Sequence, residues 1–210
     1  MDVMSEPRRE HATRIRPEPI DPRGRTYQVV DTDFHVLPEW SDVRKYMKEP
    51  FRSELTSYPL AGGDYSPKYA IGLEGTGQET QGRAKTAADI LRVIDAIGVE
   101  TVIVTPGFTR PQSMFHQAMV TATSAAYNDF LIKEVFPASP RIKAEIMINH
   151  RNPADGAAEI RRVGKHAGFV GVYTEFGGNY EPIGTARHDP IFDAAVEHDL
   201  VVTSHIGTFW

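Results

Sequence analysis

VVDTDFHVLPEW, residues 29–40, passes from a β-branched pair into Asp31, Asp33 and His35, three polar side chains spaced two apart. Alternate residues of a strand share a face and lie roughly 6.6 Å apart, so all three are expected on one side. Asp33 and His35 then stand nearest the carboxyl end, where parallel α/β sheets and barrels gather their chemistry. Two readings of this pair are open: two ligands for one ion, or an Asp-capped turn followed by a hydrogen-bonded loop histidine.

Four further β-branched runs follow: ETVIVTP (100–106), RIKAEIMIN (141–149), GFVGVYT (168–174) and LVVTSH (200–205). Between them lie segments of helical period. TAADILRVIDAIG places Ile90, Val93, Ile94 and Ile97 at helical spacing, and SMFHQAMVTATSAAYNDFLIKEV reads as one long second helix. NPADGAAEIRRVGKHAG opens on Asn152 as a cap with Pro153 at the first helical position, and the pair Asp189 and Pro190 repeats that signal. Strands alternating with helices of this length predict βαβ units and a parallel sheet. The fifth run ends in His205. Around a closed barrel the first and fifth strands face each other across the axis, so His205 can meet Asp33 and His35 at a common ion. A hydrogen-bonded histidine at a strand end is the plainer reading.

A chain of 210 residues with 40% hydrophobic content can bury one sizeable core. Its net charge of −5 offers no basic stripe for a phosphate backbone, so nucleic acid is not an expected partner. With no cysteine, any metal must be held by His, Asp and Glu, and a reducing, cytoplasmic setting is the matching expectation. No stretch has the apolar length of a membrane span or the form of a signal peptide. Residues 1–26, rich in proline and mixed charge, are expected to form a flexible arm, and the folded region to run from Tyr27 to the last residue. Residues 40–83 break the strand–helix rhythm and read as a long excursion of the kind that shapes binding sites.

DTDFH, ADILRVIDAIGVETVIVTPG, NDFLIKEVFPASPRIKAEIMIN, GFVGVYTEF and HDPIFDAAVEHDLVVTSHIG, in that order, resemble the amidohydrolase-related family typified by aminocarboxymuconate semialdehyde decarboxylase. The resemblance implies a distorted TIM (β/α)8 barrel. It further implies one divalent ion, zinc first and manganese second, and either hydrolysis or non-oxidative removal of a carboxylate from a small organic acid or a cyclic or aromatic compound. By position, His35 takes the second place of the family's His-x-His, Asp33 takes the first, and His205 matches the strand-five ligand. A carboxylate in the first place makes the ion a weaker Lewis acid than imidazole would. Asp31 is expected to support the ligands rather than bind. The family's catalytic histidine after strand six and aspartate after strand eight fall beyond Trp210. The expectation is therefore an α/β chain holding about five strands, the N-terminal part of a truncated barrel, inactive by itself and prone to self-association.

Tyr173 and Glu175 after the fourth strand, Phe108 and Arg110 after the second, and Trp40 and Arg44 after the ligand pair are pocket candidates, with ordinary loop roles as the alternative. His150 after the third strand is a substrate-contact candidate looking into the same cavity. His116 in mid-helix, His166, His188 and His198 read as packing or surface residues. A Schiff-base aldolase fails on geometry, because Lys143, the strand lysine, sits on the order of 23 Å from the carboxyl end of the sheet at 3.3 Å per residue. A non-catalytic binding module stays open, separable by its metal content.

Overall fold

The computed structural model describes residues 27–36, 38–54, 84–106, 116–176 and 182–206. The expected arm, Phe108 and Arg110 lie outside them. Strands β1 (Val30–Val36), β2 (Thr101–Pro106), β3 (Ile142–Met147), β4 (Phe169–Phe176) and β5 (Val201–Ile206) form one parallel sheet in sequential order. Helices α1 (Trp40–Arg44) and α2 (Phe51–Glu54) follow β1, with α3 (Ala87–Ile97) leading into β2. Helix α4 (Gln117–Phe130) lies between β2 and β3, α5 (Pro153–Val163) between β3 and β4, and α6 (Asp189–Glu197) between β4 and β5. No described helix is long and apolar enough to cross a membrane.

Sequential parallel order with a helical crossover at each step is half of a (β/α)8 architecture. The sheet is curled. Edge strands of a flat five-stranded sheet stand roughly 19 Å apart, yet Asp33 on β1 and His205 on β5 approach to 3.4 Å. The convex side carries the apolar residues: Val102 pairs with Ile142, Val104 with Ala144, and Ile146 with Val172. These are buried against Ile90 and Ile94 of α3, Met119 and Tyr127 of α4, Ile160 of α5 and Ile191 of α6.

Local chemistry sets the helix ends. Thr86 and Asp89 form a reciprocal capping box on α3, and Gly98 closes that helix at φ 72°, where a side chain would be strained. Helix α4 starts at Gln117 with His116 as its N-cap, the ring accepting from the Met119 N–H, so His116 is not a mid-helix residue. The long second helix also does not run through as α-helix: Leu131–Val135 widens into a π turn and Phe136–Ala138 tightens into a 3₁₀ turn around Pro137. On α5, Asn152 occupies the N-cap without a side-chain bond, and the Asn149 side chain instead accepts from the Asn152 N–H. On α6, His188 rather than Asp189 holds the N-cap position.

Candidate metal centre

The pairing of β1 with β2 alters the reading of the DTDFH segment. Asp31 pairs with Val102 and Phe34 with Val104, so three steps on β1 face two on β2, a bulge of one residue. Paired residues share a face, which puts Asp31 with Phe34 and Val104 on the convex side and Asp33 with His35 on the concave side. The three polar residues therefore do not share one face, because the extra residue inverts the alternation between Asp31 and Asp33. Asp31 still touches the pair through its own carboxylate, whose Oδ1 accepts from the Asp33 N–H at 3.0 Å.

On the concave side, Asp33, His35 and His205 each present one donor atom, all within 4.8 Å of one another. The Asp33 carboxylate lies 3.3 Å from His35 Nε2 and 3.4 Å from His205 Nε2, and the two imidazoles meet edge to face at 5.3 Å. Burial lowers the His35 pKa more than the neighbouring Asp33 raises it, and His205 lowers it further. At neutral pH the His35 ring is then available as a lone-pair donor. Two imidazoles and a carboxylate at this spacing suit a divalent ion, the imidazoles favouring borderline zinc and the carboxylate also serving harder manganese.

Glu175 pairs with His205, and Tyr173 with Thr203, so both pocket candidates of β4 lie within the strand, beside His205, rather than after it. The Tyr173 ring stands 5.9 Å from that of His205, and its hydroxyl donates to Glu175 Oε1 at 3.3 Å. Burial pushes the Glu175 pKa up to about 7, against the hydrogen bond from Tyr173 and the charge of His205. Burial, followed by the Glu175 charge, pushes the Tyr173 hydroxyl well above its ordinary value.

One residue of this face escaped the reading of the sequence. Glu145 lies in the middle of β3, where it pairs with Gly171. It is 4% exposed. Burial raises its pKa, while hydrogen bonding from Thr203 and Thr105 and the charge of His205 oppose the rise and the nearby Asp33 adds to it. A carboxylate between Ala144 and Ile146 in RIKAEIMIN was the available signal.

Of the remaining candidates, His150 and Arg44 lie among the described residues. His150 is buried, but its electrostatic neighbours are His188 and Arg151 at the start of α6 and α5, and burial lowers its pKa to about 4. Arg44 lies in the last turn of α1 and makes no ion pair with a described residue. Trp40 opens α1, and its side chain is outside the described set. Lys143 donates to the Ala167 carbonyl at 2.9 Å, toward the amino end of the sheet, which keeps it away from the concave cluster.

A family model described as amidohydrolase matches residues 30–210. No curated protein matches the sequence. Among solved structures, the chain is similar to 5-carboxyvanillate decarboxylase from Novosphingobium aromaticivorans, with bound manganese and 3-methoxy-4-hydroxy-5-nitrobenzoic acid, at 18% identity and a TM-score of 0.56 over 87% of this chain and 52% of that one. It is similar to a dihydroxybenzoic acid decarboxylase from Polaromonas, with manganese and 2-nitroresorcinol, at 18% identity and a TM-score of 0.55 over 87% and 50%. An amidohydrolase from Mycobacterium avium subsp. paratuberculosis matches at 16% identity and a TM-score of 0.60 over 88% and 60%. At these identities the likeness is one of fold. The chain spans about half the length of the first two structures.

Proposed function

The chain belongs to the amidohydrolase family, and from that premise we propose that it supplies the cation-holding strands of a metal-dependent enzyme that removes a carboxylate, without redox change, from a small aromatic or related organic acid. The observation that carries the reading is the meeting of Asp33, His35 and His205 within 4.8 Å, from the two edge strands of the sheet. When bound, a divalent ion supplies Lewis-acid charge to substrate oxygens. The chain's own residues do the rest. Asp33 contributes negative charge, His35 and His205 contribute neutral nitrogen donors, and Tyr173 with Glu175 forms a polar wall beside His205. Glu175, with its pKa near neutrality, can hold a proton at Oε1 or Oε2 close to a substrate.

The decarboxylase reading is supported by the manganese-bound decarboxylases of the same fold. Hydrolysis of a small cyclic or aromatic compound is the second reading, favoured by the family description and by the amidohydrolase among the similar structures.

Elemental analysis of the purified protein is expected to find about one equivalent of zinc or manganese, as a single mononuclear donor set implies. His35→Ala and His205→Ala should lose it. A screen of hydroxylated benzoic acids for carbon dioxide release, run beside lactones and amides, separates the two readings. Metal content unchanged in both variants would mean that the ion is held elsewhere. Turnover of lactones or amides, with no release of carbon dioxide, would replace the first reading by the second.

A further inference from the structure

We infer that Glu175 is a specificity-determining residue of the candidate site, its second oxygen accepting a hydrogen bond from a hydroxyl or amino group of the substrate while Tyr173 sets its position. The inference rests on the proposed reading of an organic acid held at Asp33, His35 and His205. It adds what else that acid must carry.

Strand β4 builds the subsite. Glu175 pairs with His205, and Tyr173 with Thr203, so both stand on the concave face, one strand away from the strand that bears His205, a spacing of about 4.8 Å. Glu175 is 4% exposed and Tyr173 1%. A carboxylate offers about four acceptor positions. Among the described residues, one of them is met: the Tyr173 hydroxyl donates to Oε1 at 3.3 Å. The charged neighbour of Glu175 is His205, and no described lysine or arginine pairs with it. Oε2 makes no hydrogen bond to a described residue, yet it is not sealed from solvent as Glu145 Oε2 is. A largely buried acceptor in this state is costly unless a donor reaches it. By occupying Oε1, Tyr173 leaves Oε2 as the oxygen that meets the substrate. A second carboxylate there would be repelled, and an ether or a halogen has no proton to give, so a hydroxyl or an amine is the matching group.

The test compares hydroxybenzoates and aminobenzoates, substituted at each ring position, with fluorobenzoates of the same pattern, which have no proton to donate. Each is titrated calorimetrically onto the full chain saturated with manganese. The ratio of affinities, donor-bearing over fluorinated, cancels any difference in metal loading between variants. At one ring position the wild type is expected to prefer the donor about tenfold or more, the scale of a buried acceptor gaining or losing its partner. Glu175→Leu should erase the preference. Glu175→Gln, kept as a polar variant of the same shape, presents an amide N–H where Oε2 stood and should lose the preference for aminobenzoates. Tyr173→Phe should lower the ratio while fluorobenzoate affinity holds, an effect that a residue supporting only the fold would not have. No preference in the wild type, or a preference unchanged in Glu175→Leu and Glu175→Gln, overturns the inference and leaves the acid-binding reading standing. Failure of every benzoate to bind the manganese-saturated wild type removes that reading and the inference with it.

Discussion

Replacement of Asn128 is expected to be among the most damaging single changes in this chain. Its side chain is fully buried on α4 and behaves as a short strand of its own: Nδ2 donates to the Met147 carbonyl at 2.8 Å, and Oδ1 accepts from the Met147 N–H at 3.0 Å. Among the described residues, β2 pairs with β3 only as far as Ala144, so the carboxamide replaces the peptide that a neighbouring strand would offer Met147. Nδ2 also donates to Glu159 Oε1 at 2.7 Å, joining α4 to α5. Asn128→Leu keeps the approximate volume but orphans one buried N–H and one buried C=O. At about 1–3 kcal/mol for each unsatisfied group, less a partial return from apolar burial, the expected loss is about 3 kcal/mol. Glu159 adds little, since Arg162 holds both of its oxygens at 2.7 and 2.8 Å. Asn128→Asp retains the acceptor for the Met147 N–H but sets a carboxylate oxygen against the Met147 carbonyl and Glu159. It should be at least as destabilising at neutral pH and improve as the pH falls. Urea unfolding followed by circular dichroism reads both. A loss below about 1 kcal/mol for Asn128→Leu, the net worth of one ordinary hydrogen bond, would refute the view that this side chain completes the sheet.

Two further outcomes follow from the packing. His150, with its pKa lowered from 6.5 to about 4 in the fold, binds fewer protons than the unfolded chain between those values, so its contribution falls by about 3 kcal/mol as the pH drops through that window. Glu175, raised to about 7, acts in the opposite direction, so the diagnostic quantity is the difference between wild type and His150→Gln: unfolding free energies at pH 7 and 4.5 should show the variant losing less on acidification, and equal losses would contradict the buried, neutral histidine. Gly168→Ala places a methyl group 2.5 Å from Phe136 Cδ2, on a ring stacked on His166 and edge-on to Phe169; we expect a loss of about 1–3 kcal/mol from overpacking, and a thermal melt unchanged from wild type would show that the ring can yield.

The alternation of strand and helix was legible because each helix carries its own period and its own ends. Ile90 and Ile94 recur at helical spacing and are buried, and Thr86 with Asp89 sets the start of α3 where the sequence turns periodic. Less legible were ends whose capping depends on tertiary neighbours. His116 caps α4, and Asn149 reaches into the next helix start while its own amide donates to the Gln117 carbonyl and Thr121. A histidine or a remote asparagine in a capping role has no local pattern, since the same residues serve elsewhere as surface or loop groups.

The cluster of Asp33, His35 and His205 shows a deeper limit of the same kind. The spacing of Asp33 and His35 reads correctly as a shared face because both lie beyond the bulge, whereas the identical spacing of Asp31 and Asp33 does not, because the extra residue falls between them. Nothing in VDTDFHV marks that place: a bulge is a property of two strands in register, and the partner residues Val102 and Val104 lie some seventy positions away. The bulge also serves the site. It lets Phe34 and Val36 stay in the core while Asp31 supports the Asp33 amide from the convex side, so the carboxylate that faces both histidines is anchored by a second one across the sheet. Glu145 was hidden for the opposite reason. A lone carboxylate between Ala144 and Ile146 reads as a boundary or a surface residue until the pairing of β3 with β4 places it, buried, on the concave face.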